Sequence, residues 1–177
     1  MDRELQKLKK LYLLYKKKIG TRVSLKEEGL QPNEKNYYIV DGVNLVKGID
    51  KKFYLMVYYK NTGKTSDKIE IFDNNLKKVS FAEFCFFNDI SLIDYIETEH
   101  KYRNNGLATK AILKIEDISK NIKKCNQIKL VCNLRVLNGK NGNLKFYEDS
   151  GFKKINPKDS DFNSRIYMIK YLGNDKH

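Results

Sequence analysis

No apolar run in this chain approaches the length of a membrane-spanning helix, and Met1-Asp-Arg-Glu-Leu-Gln6 lacks the apolar segment of a secretory signal. Cysteine is scarce: Cys85, Cys125 and Cys132 are odd in number and have no metal-ligand spacing. That speaks against a disulfide framework and a thiolate metal site, and since Cys85 and Cys132 lie in apolar strand-like runs, buried reduced thiols are expected. A cytoplasmic protein fits these absences. Arginine is scarce too, so the formal net charge of +13 is carried almost wholly by lysine. Lysine spread over every element is a solvated surface, whereas nucleic-acid binding would show arginine interleaved with aromatics. The accompanying richness in Asn, Ile and Tyr reads as a general composition bias. The charge leaves an acidic ligand or partner electrostatically comfortable. There are no internal repeats and no linkers.

What is present suits one globular domain: 177 residues can bury a proper core, and the apolar and charged fractions are ordinary. Residues 2–18 read as a helix, because Leu5, Leu8, Leu11, Tyr12 and Tyr15 recur at helical spacing with basic residues between them. Up to Gly20 there are seven Lys or Arg against Asp2 and Glu4. Such a helix can lie on a membrane or on RNA, but packing on the domain with its lysines in water is the simpler expectation. Gly20 should end it. Residues 21–50 are hard to read beyond a short strand at Tyr37–Val40 and a turn signal at Asp41-Gly42.

From Phe53 the pattern is β. Phe53–Tyr59, Lys68–Phe72, Val79–Phe87 and Ser91–Thr98 are rich in aromatic and β-branched residues, separated by Asn61-Thr-Gly63, Asp73-Asn-Asn75 and Asn88-Asp89. This predicts a run of antiparallel hairpins. Gly63-Lys-Thr65 imitates the end of a phosphate-binding P-loop, but the glycine that motif needs is replaced by Tyr58, and the segment joins two strands. From Leu107 the period becomes helical, with Ala108, Ala111, Ile112, Ile115, Ile118 and Ile122 on one face. A strand at Ile128–Leu134 follows, then a helix from about Asn141–Asn143 to Gly151, then strands at Phe152–Ile155 and Arg165–Leu172. The order predicts an α+β fold with a mixed, mainly antiparallel sheet flanked by helices.

The stretch Thr98–Thr109 leaves an apolar strand, turns through Gly106 and opens the best amphipathic helix of the chain. Amides at such a helix start lack intrahelical partners, and the helix dipole favours negative charge, so phosphate oxygens bind well there. Arg103 adds a cation, and Gly106 and Ala108 let a ligand approach the backbone closely. The expected ligand is a diphosphate.

Taken with Phe146-Tyr147-x-x-x-Gly151-Phe152, the pattern Arg103-x-x-Gly106-x-Ala108 resembles the GNAT superfamily of N-acetyltransferases. The first pattern is similar to that superfamily's acetyl-CoA loop, the second to its short helix with an aromatic-Tyr pair followed by Gly-Phe. They stand in the right order, one βαβ step apart, and the resemblance spans about residues 53–172. It implies an acetyl-CoA-dependent N-acetyltransferase that transfers acetyl to a primary amine by direct attack in a ternary complex. Acetyl-CoA would be co-substrate and no metal is implied. Residues 51–177 would form the acetyltransferase core, and residues 1–50 a helical extension or acceptor-side cover of the same compact domain.

The resemblance also assigns roles. The diphosphate falls to Arg103, Asn104, Asn105, Gly106, Leu107, Ala108 and Thr109, and the pantetheine to the backbone of Ile96 and Thr98 on the preceding strand, bound as a further strand would be. The superfamily's two central strands splay apart here, and a strand N–H polarises the thioester carbonyl. Tyr147 is the expected general acid. The base is expected on the strand a few positions before Thr98, a window that holds Asp94; a carboxylate in a strand buried on both faces needs a reason. Glu97 and Glu83 are its reserves, and His100 reads as a surface residue. Two departures stand out. The pantetheine-contacting Asn of the superfamily falls on Lys140, so that a short insertion would make Asn138 its equivalent, with Asn141 and Asn143 competing. And no helix is evident between Phe53 and Thr98, where the superfamily usually has the helices that cover its acceptor site. The partners implied are acetyl-CoA and an amine of a small molecule or protein, with no membrane, and a monomer or homodimer. Alternatives are an aminoacyl-tRNA acceptor, which the basic first helix would suit, or a non-catalytic acyl-CoA- or nucleic-acid-binding module.

Overall fold

A computed structural model describes residues 3–24, 37–62, 66–133, 142–156 and 165–173. Helix α1 spans Arg3–Lys16, and the strands β1 (Arg22–Ser24), β2 (Tyr37–Lys47), β3 (Phe53–Asn61), β4 (Asp67–Phe72), β5 (Lys78–Phe87) and β6 (Ile90–Thr98) follow. A 3₁₀ turn at His100–Tyr102 leads to α2 (Leu107–Asp117), which runs on as a π-helical turn at Ile118–Ile122. Then come β7 (Gln127–Asn133), α3 (Gly142–Asp149), β8 (Lys153–Lys154) and β9 (Arg165–Tyr171). The nine strands form one mixed, mostly antiparallel sheet in the order β1-β2-β3-β4-β5-β6-β7-β9-β8, the expected α+β class. Among the described residues no helix is long and apolar enough to cross a membrane.

The chain divides into two compact units, Met1–Glu83 with Tyr95–Ala111, and Phe84–Asp94 with Ile112–His177. In the first, Leu8 is buried in a cluster with Tyr38, Val40, Val43, Leu55, Val57, Tyr59 and Phe72, and Leu11, Tyr12 and Tyr15 pack against it. The α1 members are four of the five residues of the predicted apolar stripe; Leu5 is half-buried and stands outside the cluster. Burying each large side chain is worth about 1.5–3 kcal/mol, so α1 is held by its stripe rather than by helix propensity. Gly20 ends the helical segment with φ +81° and donates its N–H to Val40 O at 2.8 Å.

Asp41-Gly42 is not a turn. β2 runs through it to Lys47, and the register against β3 shifts between Val40 and Gly42, a β-bulge. An Asp-Gly pair serves a bulge as well as a turn, and cross-strand pairing from Tyr38↔Asn61 to Lys47↔Phe53 outweighs the local turn tendency. The short strand β1, paired with β2 through Arg22↔Ile39, had no sequence signal. In the second unit β7 pairs parallel with β6 and antiparallel with β9, and Ile112, Ile115, Ile118, Ile128, Ile166 and Met168 are buried. Cys125 and Cys132 are buried, but Cys85 is only half-buried, because it shares the outer side of β5 with Phe81 and Glu83. The Gly63-Lys-Thr65 turn lies outside the described residues.

Candidate active site

The loop predicted to hold a diphosphate belongs to the first unit. Ser80 Oγ donates to Glu97 O at 2.8 Å and lies 2.9 Å from Thr98 Oγ1, which fixes the end of β6. Glu99 N–H donates to Val79 O at 2.9 Å. The chain then reverses through two left-handed residues, Asn104 at φ +62° and Gly106 at φ +73°. Gly106 is favoured by its φ; a Cβ there would only touch the exposed Ile49 side chain, at 3.4 Å from Cδ1. Leu107 is buried and anchors the turn, and Lys110 N–H closes the first helical bond on Gly106 O at 3.0 Å. The amides ahead of Lys110 thus open α2 as the helix-start geometry requires. Arg103 is exposed, and its Nε donates to Thr98 O at 3.1 Å, so it ties the loop back to β6. Thr98 O, one of the two backbone positions expected to face pantetheine, therefore already accepts one hydrogen bond, and a carbonyl has capacity for a second.

Two hairpin turns reach this loop, and nothing in the sequence pattern announced these contacts. From the β2–β3 turn, Ile49 N–H donates to Asn105 O at 3.0 Å and Asp50 Oδ2 accepts from Asn105 Nδ2 at 3.3 Å and from Tyr54 OH at 2.7 Å. From the β4–β5 turn, Asp73 Oδ2 accepts from Tyr102 OH at 2.8 Å while its Oδ1 accepts from the amides of Asn75 and Lys77. Lys77 pairs with Glu99 at 2.7 Å. Burial works against the Asp73 charge, yet the Tyr102 hydroxyl and the two turn amides hold its carboxyl below the ordinary carboxylate range. Burial and the Asp73 carboxylate push the Tyr102 phenol up to about 12.

Asp94 and Tyr147 belong to the second unit. The expectation that β6 is buried on both faces fails beyond Ile93: Asp94 and Tyr95 are both exposed, which breaks the strand's alternation. Asp94 is exposed, and its burial argument falls. Among the described residues the parallel ladder with β7 ends at Ile93↔Leu130, while β7 continues to Asn133 against β9. Asp94 is the first β6 residue past that ladder. Of its reserves, both in the first unit, Glu97 is exposed and accepts from Tyr95 OH at 3.2 Å, and Glu83 pairs with Lys68 at 3.0 Å. His100 is exposed.

Tyr147 stands on α3, its ring 5.1 Å from that of Phe146 and 6.0 Å, edge-on, from that of Phe152. Burial, followed by the nearby Cys132, pushes its phenol up to about 12. Phe152 N–H donates to Tyr147 O at 3.0 Å, and Gly151 takes φ +88°, so the Gly-Phe pair is what stops the helix one turn after the tyrosine. Lys170 spans this end, donating to Ser150 O at 2.8 Å and to Glu116 at 2.5 Å. Asn138 and Asn141 lie outside the described residues, as does the side chain of Asn143.

No family model matches the chain, and no curated protein matches its sequence. Solved structures do. The chain is similar to a PaiA N-acetyltransferase from Thermoplasma acidophilum in complex with coenzyme A, at 19% identity and TM-score 0.51 over 60% of this chain and 61% of that one. It is similar to a GNAT-family acetyltransferase from Staphylococcus aureus Mu50, at 18% identity and TM-score 0.51 over 61% of this chain and 68% of that one. It is also similar to the ribosomal-protein-S18-alanine N-acetyltransferase from Escherichia coli, at 14% identity and TM-score 0.51 over 66% and 77%. The match thus spans about three fifths of the Thermoplasma protein's length. At these identities the likeness is one of fold: the chain has the GNAT acetyltransferase fold.

Proposed function

We propose that this protein is an acetyl-CoA-dependent N-acetyltransferase that passes the acetyl group directly to a primary amine. The observation that carries the reading is the β6–α2 loop, where Arg103, Gly106 and Ala108 stand in the acetyl-CoA-loop pattern on a backbone that turns left-handed at Asn104 and Gly106 into a helix start. In this reading the amides from Asn104 to Thr109 hold the diphosphate, and Arg103 adds its charge. Pantetheine runs along the backbone of Ile96 and Thr98, on the β6 residues past the β7 ladder, with Asn138 as a further contact. A strand N–H facing the thioester oxygen would be worth about 2.7–4 kcal/mol in the transition state.

The amine nitrogen attacks the thioester carbon, the C–N bond forms, and collapse of the tetrahedral intermediate breaks the C–S bond. The proton the ammonium must lose goes to a carboxylate, directly or through water. Asp94 and Glu97, both exposed, are the candidates, and exposure suits a base that works through water. The thiolate takes its proton from Tyr147, whose phenol stays protonated throughout the neutral range. The acceptor class is an amine of a small molecule or a protein, and residues 1–50 serve as its cover or as an extension of the core.

Acetyl-CoA should raise the melting temperature of the protein; at a hundred times Kd the added stability is about 2.7 kcal/mol. Gly106→Glu should abolish the shift, because the side chain is strained at φ +73°, meets Ile49 and brings negative charge to the diphosphate. No shift in the unaltered protein overturns the reading. A coenzyme A-release assay over polyamines, amino acids, aminoglycosides and peptides then identifies the acceptor.

A further inference from the structure

The diphosphate loop carries three carboxylates around it, Asp50, Asp73 and Glu99, which is an odd setting for an anion site. Each of them is engaged by donors. Asp50 takes Asn105 Nδ2, Tyr54 OH and the Lys52 amide; Asp73 takes Tyr102 OH and two turn amides; Glu99 takes Lys77. The Tyr54 and Tyr102 rings meet edge to face, with centroids 6.3 Å apart. The result is one chain of contacts, Asn105–Asp50–Tyr54–Tyr102–Asp73, that joins the β2–β3 turn to the β4–β5 turn and takes hold of the loop at two points. These points flank Arg103 and Asn104, Tyr102 on one side and Asn105 on the other.

We propose that Asp50, Tyr54, Tyr102 and Asp73 are positioning residues for acetyl-CoA: the two hairpin turns hold the β6–α2 loop in its anion-binding conformation and thereby set coenzyme affinity. This rests on the acetyltransferase reading above. The physical ground is that a loop with left-handed Asn104 and Gly106 has many alternatives, and none of the four residues belongs to the loop's own anion-binding pattern. A ligand that binds only the competent conformation has an apparent Kd raised by the reciprocal of that conformation's population. Contacts that raise the population therefore tighten binding without touching the ligand. They also let the carboxylates sit close by, since each points its charge at a loop or turn donor.

Tyr102→Phe removes the hydroxyl to Asp73 and keeps the ring against Tyr54. Asp50→Asn removes the charge that receives Tyr54 OH and Asn105 Nδ2. Each variant, as the full chain, should show acetyl-CoA Kd and KM raised about three- to tenfold, the range for the net loss of one ordinary hydrogen bond, since each carboxylate or amide left behind keeps other donors. At saturating acetyl-CoA, with the best amine of the panel, kcat should stay within about twofold, because bound coenzyme restores the conformation. Hydrogen exchange at the amides of 103–109 should quicken in the coenzyme-free variants and return to the unaltered level when coenzyme saturates. If the unaltered protein binds acetyl-CoA and both variants bind it equally well, the positioning role is overturned and the acetyltransferase reading stands. If kcat falls with Kd unchanged, the positioning role is likewise overturned. If the unaltered protein does not bind acetyl-CoA, the reading of the site itself fails and takes this assignment with it.

Discussion

Tyr147 shows how one residue's surroundings decide what it can do in a reaction. Its ring is held between Phe146 and Phe152, and burial pushes the phenol up to about 12. A phenol with that pKa keeps its proton throughout the neutral range and so is always there to donate, while the raised pKa makes it a weaker acid toward a departing thiolate than an ordinary tyrosine. Tyr147→Phe keeps the packing and removes the proton. It should lower kcat by about 10²- to 10⁴-fold and leave the acetyl-CoA Kd unchanged. If the acetyltransferase reading holds, the pH–rate profile of the unaltered protein should rise as the amine deprotonates, with no alkaline fall attributable to Tyr147 below about pH 11. An unchanged kcat in the variant would return Tyr147 to a packing role. Asp94 teaches the converse: composition of β6 suggested a buried carboxylate, and its exposure removes that argument while leaving its place on the strand.

At the scale of elements, what was legible in the sequence was what is local. The α1 stripe, the hairpin run from Phe53, the α2 face as far as Ile118 and the Gly151 stop all depend on spacing within one element, and they stand where spacing put them; Ile122, expected on the same face, is exposed because the last turn is π-helical and shifts it off the α-helical spacing. Long-range pairing was not legible. β1 is too short to carry a pattern, and the Asp41-Gly42 bulge depends on β3 across from it. The turn through Gly106 into the start of α2 was readable, but its supports were not: Asn105 and Asp50 lie 55 positions apart, and Tyr102 and Asp73 lie 29 apart. The packing of α1 can be tested directly. Leu8→Ala should cost about 2–5 kcal/mol in urea unfolding, since the side chain is buried with Tyr38, Val40 and Leu55. Leu13→Ala, at a position 56% exposed, should stay within about 0.5 kcal/mol. Equal effects of the two would mean that α1 does not pack through its stripe.

The whole molecule carries a +13 formal charge and several phenols withdrawn from water, with Tyr54, Tyr58 and Tyr59 buried and Tyr102 and Tyr147 half-buried. Burial first, and carboxylate neighbours second, raise Tyr54, Tyr58 and Tyr102, with Asp50, Asp67 and Asp73 as the hydrogen-bonded partners. Burial likewise raises Tyr59, beside Glu70, and Tyr147, beside Cys132. In the unfolded chain these groups return to an ordinary pKa of about 10. Above that pH the unfolded state has lost protons that the native state still binds, so stability falls as pH rises. The loss begins near pH 10 and continues through the raised values, each group contributing up to about 1.4 kcal/mol per pH unit. Deprotonation of lysines over the same range relieves the positive self-repulsion and opposes the loss, but these charges are solvated and screened, while the phenols are withdrawn from water. Urea unfolding from pH 8 to 11.5 should therefore show a steady fall in stability starting near 10, with phenolate absorbance appearing together with unfolding. Tyr58→Phe, which removes the hydroxyl held 2.6 Å from Asp67, should flatten that fall even though it weakens the protein at neutral pH. A stability that stays level through pH 11 would show that these phenols titrate without unfolding the chain.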